Sequence, residues 1–205
     1  MTDTPPPGAR SAPSTARNRE PILAALKPHL PKSGLVLEIA SGAGEHAVFN
    51  AAALPRLTWQ PTDPDPEALA SIAAWRDHSG LANLHSPLVL DAAEPDRWPV
   101  RSADAIVNIN MIHISPWAAT EGLMRGAGQV LPSGGVLFLY GPYLERGVVT
   151  ADSNLAFDQS LKSRNPAWGL RHLDAVAALA ADHGLILAER IAMPANNLSL
   201  VFRRT

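Results

Sequence analysis

Residues 37–46, LEIASGAGEH, place a carboxylate near the end of an apolar run and follow it with small residues and glycines at 42 and 44. Such a backbone lets a ligand lie directly against the main chain. A plain tight turn accounts for one glycine more readily than for two at alternate positions. Two ligand chemistries suit the loop. Gly42, Gly44 and Ala47 match the G-x-G-x-x-A form of the dinucleotide fingerprint, and Asp63 follows about 20 residues on, where an acid would hold a ribose. The alternative is a nucleoside that carries no phosphate. Glu38 at the strand end leans toward the second, because a pyrophosphate loop gains nothing from a nearby anion.

The elements that must position these residues follow from periodicity. LVLEIA (35–40), LTWQPTD (57–63), LHSPLVLDAA (84–93, starting after Pro87), ADAIVNINMIHIS (103–115) and GGVLFLYGPY (134–143) read as strands. EHAVFNAAAL (45–54), PEALASIAAWRDHS (66–79), WAATEGLMRGAGQVL (117–131) and HLDAVAALAADHG (172–184) read as helices between them. Two closing strands, 185–193 and 198–205, are joined by PANN, too short for a parallel crossover, so they must run antiparallel. The fold class is α/β: a three-layer sandwich around a seven-stranded, mostly parallel sheet with a C-terminal antiparallel hairpin. Residues 1–16, rich in Pro, Ser, Thr and Ala, read as a flexible tail before a single domain spanning 17–205. The first helix is expected over 17–30, with Asn18 as N-cap and Pro21 in its first turn. A polar insert at 144–171, carrying Asn165, Trp168 and Arg171, is long for a plain connection and is placed to close over an acceptor.

Composition narrows the function classes. A chain of 205 residues suits one sizeable core, and a formal charge of −2 without a Lys/Arg stripe gives a polyanion nothing to bind, so nucleic acid is not an expected partner. Cysteine is absent, which excludes disulfides and thiolate chemistry. His, Asp and Glu do not cluster at metal-ligand spacing, so no metal is expected, and no G-x-S-x-G elbow points to a hydrolase. No apolar run reaches the roughly 18 to 20 residues needed to cross a bilayer, and no secretory signal is evident, so the expectation is a cytoplasmic protein without a membrane partner. Monomer and homodimer both remain open.

Glu38 with SGAG behind it, Asp63 ending the second strand and Asp91-Ala92 after the third resemble the class I S-adenosylmethionine-dependent methyltransferases from about residue 17 to the end. A narrower resemblance, carried by Ser14, Arg17-Asn18 and Pro21-Ile22, then LEIASGAGEH, WQPTD and NMIHISPW, is to a small methyltransferase-like family formerly catalogued as a domain of unknown function. It implies a Rossmann-like methyltransferase fold and S-adenosyl-L-methionine as cofactor, with S-adenosyl-L-homocysteine (SAH) as product. One departure is Ala40, where the general pattern has its first glycine. The implied cofactor residues are Glu38, toward the ammonium or the loop amides, Ala40, Ser41, Gly42 and Gly44 in the loop, Asp63 on the ribose hydroxyls, Asp91 on the adenine amino group and Ala92 at the ring, with Asn110 and Asn18 beside them. A helix before the first strand and a closing antiparallel hairpin both count against the dinucleotide alternative.

On the acceptor side the resemblance points to the end of the fourth strand. There Asn110 would bond cofactor or acceptor, and His113 would orient or deprotonate the acceptor as the catalytic base, unless it is simply packed. Arg17 would bind a carboxylate, either from the cofactor's methionine end or from the acceptor, and Trp117, Tyr140 and Tyr143 would wall the acceptor pocket. The expected activity is in-line methyl transfer to an O or N atom of a small molecule, carboxylate-bearing if Arg17 binds it. Two alternatives stay open: an NAD(P)-dependent Rossmann reductase and a non-catalytic S-adenosylmethionine-binding module.

Overall fold

A computed structural model describes residues 5–205. In chain order its elements are α1 (Pro13–Leu26), β1 (Gly34–Ile39), α2 (Glu45–Ala53), β2 (Leu57–Asp63), α3 (Pro66–Ser79), β3 (Leu88–Val89), β4 (Ala105–Ile109) and α4 (Trp117–Val130). They continue with β5 (Val136–Gly141), β6 (Tyr143–Leu144), α5 (Asp152–Arg164), β7 (Arg171–His172), α6 (Leu173–Asp182), β8 (Leu185–Met193) and β9 (Asn197–Arg204). The main sheet runs β3-β2-β1-β4-β5-β9-β8. Its first five strands are parallel, and β9 is antiparallel to both β5 and β8. The seven-stranded, mostly parallel α/β sandwich expected from the alternation is therefore present, closing hairpin included.

Strand alternation sorts the side chains into two cores. Val36, Val107, Phe138 and Val201 face α1, α2 and α3, while Leu37, Ile106, Leu139 and Phe202 face α4 and α6. The chain reverses its direction of winding between β1 and β4, and in open α/β sheets that switch point leaves a crevice above the strand tips. No described helix is long and apolar enough to cross a membrane.

Three expectations change. The stretch expected as a tail, 1–16, begins outside the described residues, but from Pro6 onward it is tied down. The Arg10 amide donates to Ser71 Oγ at 2.7 Å, the Trp75 indole donates to the Arg10 carbonyl at 2.9 Å, and the Ala12 amide donates to Glu45 Oε2 at 2.6 Å. Polar partners on distant helices hold this segment, so an apolar count could not reveal it. Second, α1 starts at Pro13, which leaves Asn18 inside the helix instead of at its cap. Pro21, interior as a result, has no N–H to give the Arg17 carbonyl. Third, β4 and β5 end earlier than their apolar runs. Asn110 turns into the left-handed region (φ 65°) after β4, and beyond β5 Tyr143–Leu144 leaves the sheet to pair in parallel with Arg171–His172. The insert thus contains a helix, α5, and is clamped at both ends by a two-stranded sheet.

Candidate active site

The loop after β1 is stapled to β2. The Ser41 amide donates to the Thr62 carbonyl at 2.8 Å, the Thr62 amide donates to Ser41 Oγ at 3.2 Å, and the Gly42 amide donates to Asp63 Oδ2 at 2.9 Å. Gly42 is left-handed (φ +58°), and a Cβ there would meet nothing within 4 Å, so its backbone faces open space above the strand tips. Ala40 is also left-handed (φ 57°), a conformation that costs an L-residue roughly 1 to 2 kcal/mol. Ala40→Gly should therefore raise stability, by about 0.5 to 1 kcal/mol once the entropy of the extra glycine is subtracted, read as a higher urea midpoint. An unchanged midpoint would mean that the surroundings already favour the alanine.

Glu38 sits beneath this loop and is not part of the crevice wall. It is 2% exposed, and its Oε2 accepts the Trp59 indole N–H at 2.5 Å. Burial raises its pKa to about 7, against the opposing pull of the Trp59 and Ser41 hydrogen bonds. Of the two roles expected for Glu38, the geometry supports anchoring of the loop. Asp63, at the tip of β2, accepts from Gly42 through Oδ2 and from the Asp65 amide through Oδ1 at 3.0 Å. Burial raises its pKa as well, while those backbone bonds work to lower it. Each carboxylate oxygen has two lone pairs, so both keep a site for a further donor such as a ribose hydroxyl.

The crevice, about 390 Å³, opens over these tips. Ile39 at the end of β1, Ala40 after it, Pro64 after β2, and Leu90, Asp91 and Ala92 after β3 line one side. Met111, Ile114 and Ser115 after β4 line the other, together with Asn165 and Trp168 from the insert. Asp91 Oδ1 accepts the Ala93 amide at 2.8 Å, capping its own turn and leaving Oδ2 for a ligand. No lysine or arginine lines this crevice. The start of α2, where a dinucleotide would place its pyrophosphate, carries Glu45, whose carboxylate is already bound to Ala12 and Ser11.

The acceptor-side residues separate. Arg17, Asn18 and Tyr140 meet with Ser14, Ala195 and Asn197 around a second hollow of about 310 Å³ between α1 and the β8–β9 turn. Tyr140 is buried, which raises its pKa, and hydrogen-bonds the Asn18 side chain. Ala195 (φ 55°) and Asn196 (φ 57°) are left-handed in that turn. His113, expected at the acceptor, instead has no exposed surface. Its ring packs edge-on against Tyr143 at 4.9 Å and against Gly141, where a Cβ would overlap it, with Asn110 beside them. Burial, reinforced by the Arg171 charge, lowers its pKa to about 3, so the ring is neutral and out of contact with an acceptor. Tyr143 is buried against it, and Trp117 lies under the Arg171 guanidinium at 5.6 Å; neither lines either of these two hollows. In carbon-13 NMR of histidine-labelled protein, the His113 resonance, assigned with His113→Gln, should not titrate above pH 5. A midpoint near 6.5 would restore it as a base.

Asn165 and Trp168, expected to close over an acceptor, line the strand-tip crevice. The tether of residues 9–12 across α2 and α3 had no local signal, since its partners lie 33 or more residues away.

Among solved structures, an O-methyltransferase family 2 protein from Planctomyces limnophilus DSM 3776, in complex with apigenin, superposes with a TM-score of 0.77 at 20% identity, covering 94% of this chain and 60% of that one. CalO1, a methyltransferase in calicheamicin biosynthesis in its SAH-bound form, gives 0.75 at 18% identity, covering 94% and 54%. A putative sarcosine dimethylglycine methyltransferase from Galdieria sulphuraria gives 0.73 at 16% identity, covering 93% and 86%. The chain spans little more than half the length of the first two. At these identities the likeness establishes the methyltransferase-type fold. Residues 9–204 match the model of the family described as "Protein of unknown function (DUF938)", and the chain belongs to that family.

Proposed function

We propose that the chain is an S-adenosylmethionine-dependent methyltransferase that transfers the methyl group in line to an O or N atom of a small molecule. The observation that carries the reading is the makeup of the strand-tip crevice: mostly apolar walls, the Asp91 carboxylate and no cation among the described lining residues, with the Asp63 carboxylate at the tip of β2 next to the lining residue Pro64. That set suits a nucleoside bearing positive charge and gives a pyrophosphate no counter-charge. The open backbone at Gly42 leaves room for the amino-acid end. Once bound, the cofactor supplies a methyl group already activated by its sulfonium, so the protein's work is orientation and exclusion of water. Asp63 takes the ribose hydroxyls, Asp91 the adenine amino group, and Glu38 holds the loop from below. CalO1, of like fold, was solved in its SAH-bound form, which supports S-adenosylmethionine as the class of cofactor.

The acceptor belongs in the hollow at Arg17, Asn18 and Tyr140, where one cation can receive a carboxylate against otherwise mostly apolar walls. With His113 buried and neutral, the acceptor atom must lose its proton by another route, which favours nucleophiles deprotonated or unprotonated near neutral pH. Calorimetry with SAH, and separately with NADH and NADPH, tests the cofactor. SAH is expected to bind and the dinucleotides not to; binding of a dinucleotide alone would replace this reading with a reductase.

A further inference from the structure

We propose that Trp168 and Asn165, carried on the insert between β5 and α6, bind the adenine end of the cofactor, so that the insert reads the cofactor and not the acceptor. The inference rests on the crevice being the S-adenosylmethionine site.

Three observations converge on it. Trp168 and Asn165 line the same crevice as Asp91 and Ala92, the residues after β3 that face the base in the proposed function, and neither lines the hollow at Arg17. The Trp168 indole N–H is buried and has no hydrogen-bond acceptor among the described residues. An indole nitrogen only donates, and a buried donor left unpaired is costly, so this one is suited to a ligand that brings an acceptor. Adenine brings three ring nitrogens and a flat face. The Asn165 Oδ1 already accepts the Ala167 amide at 3.0 Å, which leaves its NH₂ group to donate. Asp91 has a carboxylate oxygen left over to accept from the exocyclic amine. Two donors and one acceptor on an apolar crevice match the edge of adenine. Hypoxanthine, with a carbonyl in place of the amine and a proton on N1, would meet them badly.

The segment is also held too firmly for a loose flap. The Gly169 amide donates to the His113 carbonyl at 3.0 Å, and the Leu170 amide donates to Asp158 Oδ1 at 2.8 Å. The Arg171 guanidinium donates to the Ile112 carbonyl at 3.0 Å and to the Ser115 carbonyl at 2.7 Å. Met111, Ile114 and Ser115 of that same post-β4 loop line the crevice. The insert and the cofactor wall are therefore one bonded unit, and the buried carbonyl of His113 is part of what joins them.

The test is calorimetric affinity for SAH and for S-inosylhomocysteine, its deaminated counterpart, in wild type, Trp168→Phe, Trp168→Ala and Asn165→Ala. Phenylalanine keeps a flat face and loses the N–H, and should weaken SAH about fivefold to tenfold; alanine, which loses both, should weaken it more than about 20-fold. Wild type should prefer SAH over the inosine compound by at least about tenfold, and the variants should narrow that preference. Urea midpoints check that each variant is folded; Trp168→Phe and Asn165→Ala carry the test if Trp168→Ala is not. Wild-type binding of SAH with unchanged affinity in the folded variants would overturn the proposal and leave the cofactor reading standing. Failure of wild type to bind SAH would instead remove the cofactor reading and this inference with it.

Discussion

Glu38→Gln should make the protein more stable at pH 8, by on the order of 3 kcal/mol, and remove the Glu38 share of the pH dependence of stability between about 4.5 and 7. Burial raises the Glu38 carboxyl to about 7 from 4.5. Between those values the folded state holds a proton on Glu38 that the unfolded chain has released, so the Glu38 contribution to stability is greatest below the unfolded value and declines as pH rises toward 7, opposite in sense to that of the buried His46 and His113. A shift of that size corresponds to on the order of 3 kcal/mol, the cost of a buried carboxylate. Glutamine keeps an oxygen for the Trp59 indole and carries no charge. Urea midpoints at pH 4.5, 6 and 8 decide it, and parallel profiles for the two proteins would show that Glu38 does not titrate in this range. A residue so costly has a use if the site takes a cation. S-adenosylmethionine bears an ammonium and a sulfonium, and both would favour the ionised form and expel the proton; SAH keeps only the ammonium, so the stabler glutamine variant should lose more affinity for S-adenosylmethionine than for SAH.

Asp63→Ala should weaken SAH binding about 10- to 150-fold, corresponding to roughly 1.5 to 3 kcal/mol for the loss of charge-assisted hydrogen bonds to the ribose. The same carboxylate fixes the Gly42 amide at 2.9 Å, so the substitution also loosens the loop from β2. Asp63→Asn separates the two effects, because it retains one acceptor oxygen and should fall between alanine and wild type. Calorimetry reads both variants. Full affinity in a folded Asp63→Ala protein would take Asp63 out of the site.

Local chemistry made some elements legible. The boundaries of β2 and α3 lie where TDPDPE puts them, because Asp65 caps the helix by accepting the Glu67 amide at 3.0 Å and Pro66 fits its first turn. The antiparallel closing pair followed from the length of PANN alone. At the strand tips, Gly42 and Asp63 fall close together because Gly42 lies in the loop after β1 and Asp63 ends the neighbouring parallel strand β2. What the sequence hid depends on contacts between distant segments. Nothing near His113 announces that Gly141, 28 positions on, lacks the side chain that would keep the imidazole from sinking into the core. Nor does anything near Trp168 announce that Arg171 bolts its segment to the carbonyls of Ile112 and Ser115. Arg10 and Ala12 belong to a stretch whose composition signals disorder, and their partners Ser71, Trp75, Asp65, Glu67 and Glu45 show why it is ordered.

A crystal structure of the chain with SAH bound tests the central claim most directly. Density for the nucleoside is expected across the tips of β1, β2 and β3, with the ribose on Asp63 and the base between Ala92 and Trp168. SAH lodged at another surface, with the strand-tip crevice vacant in the same crystal, would contradict it.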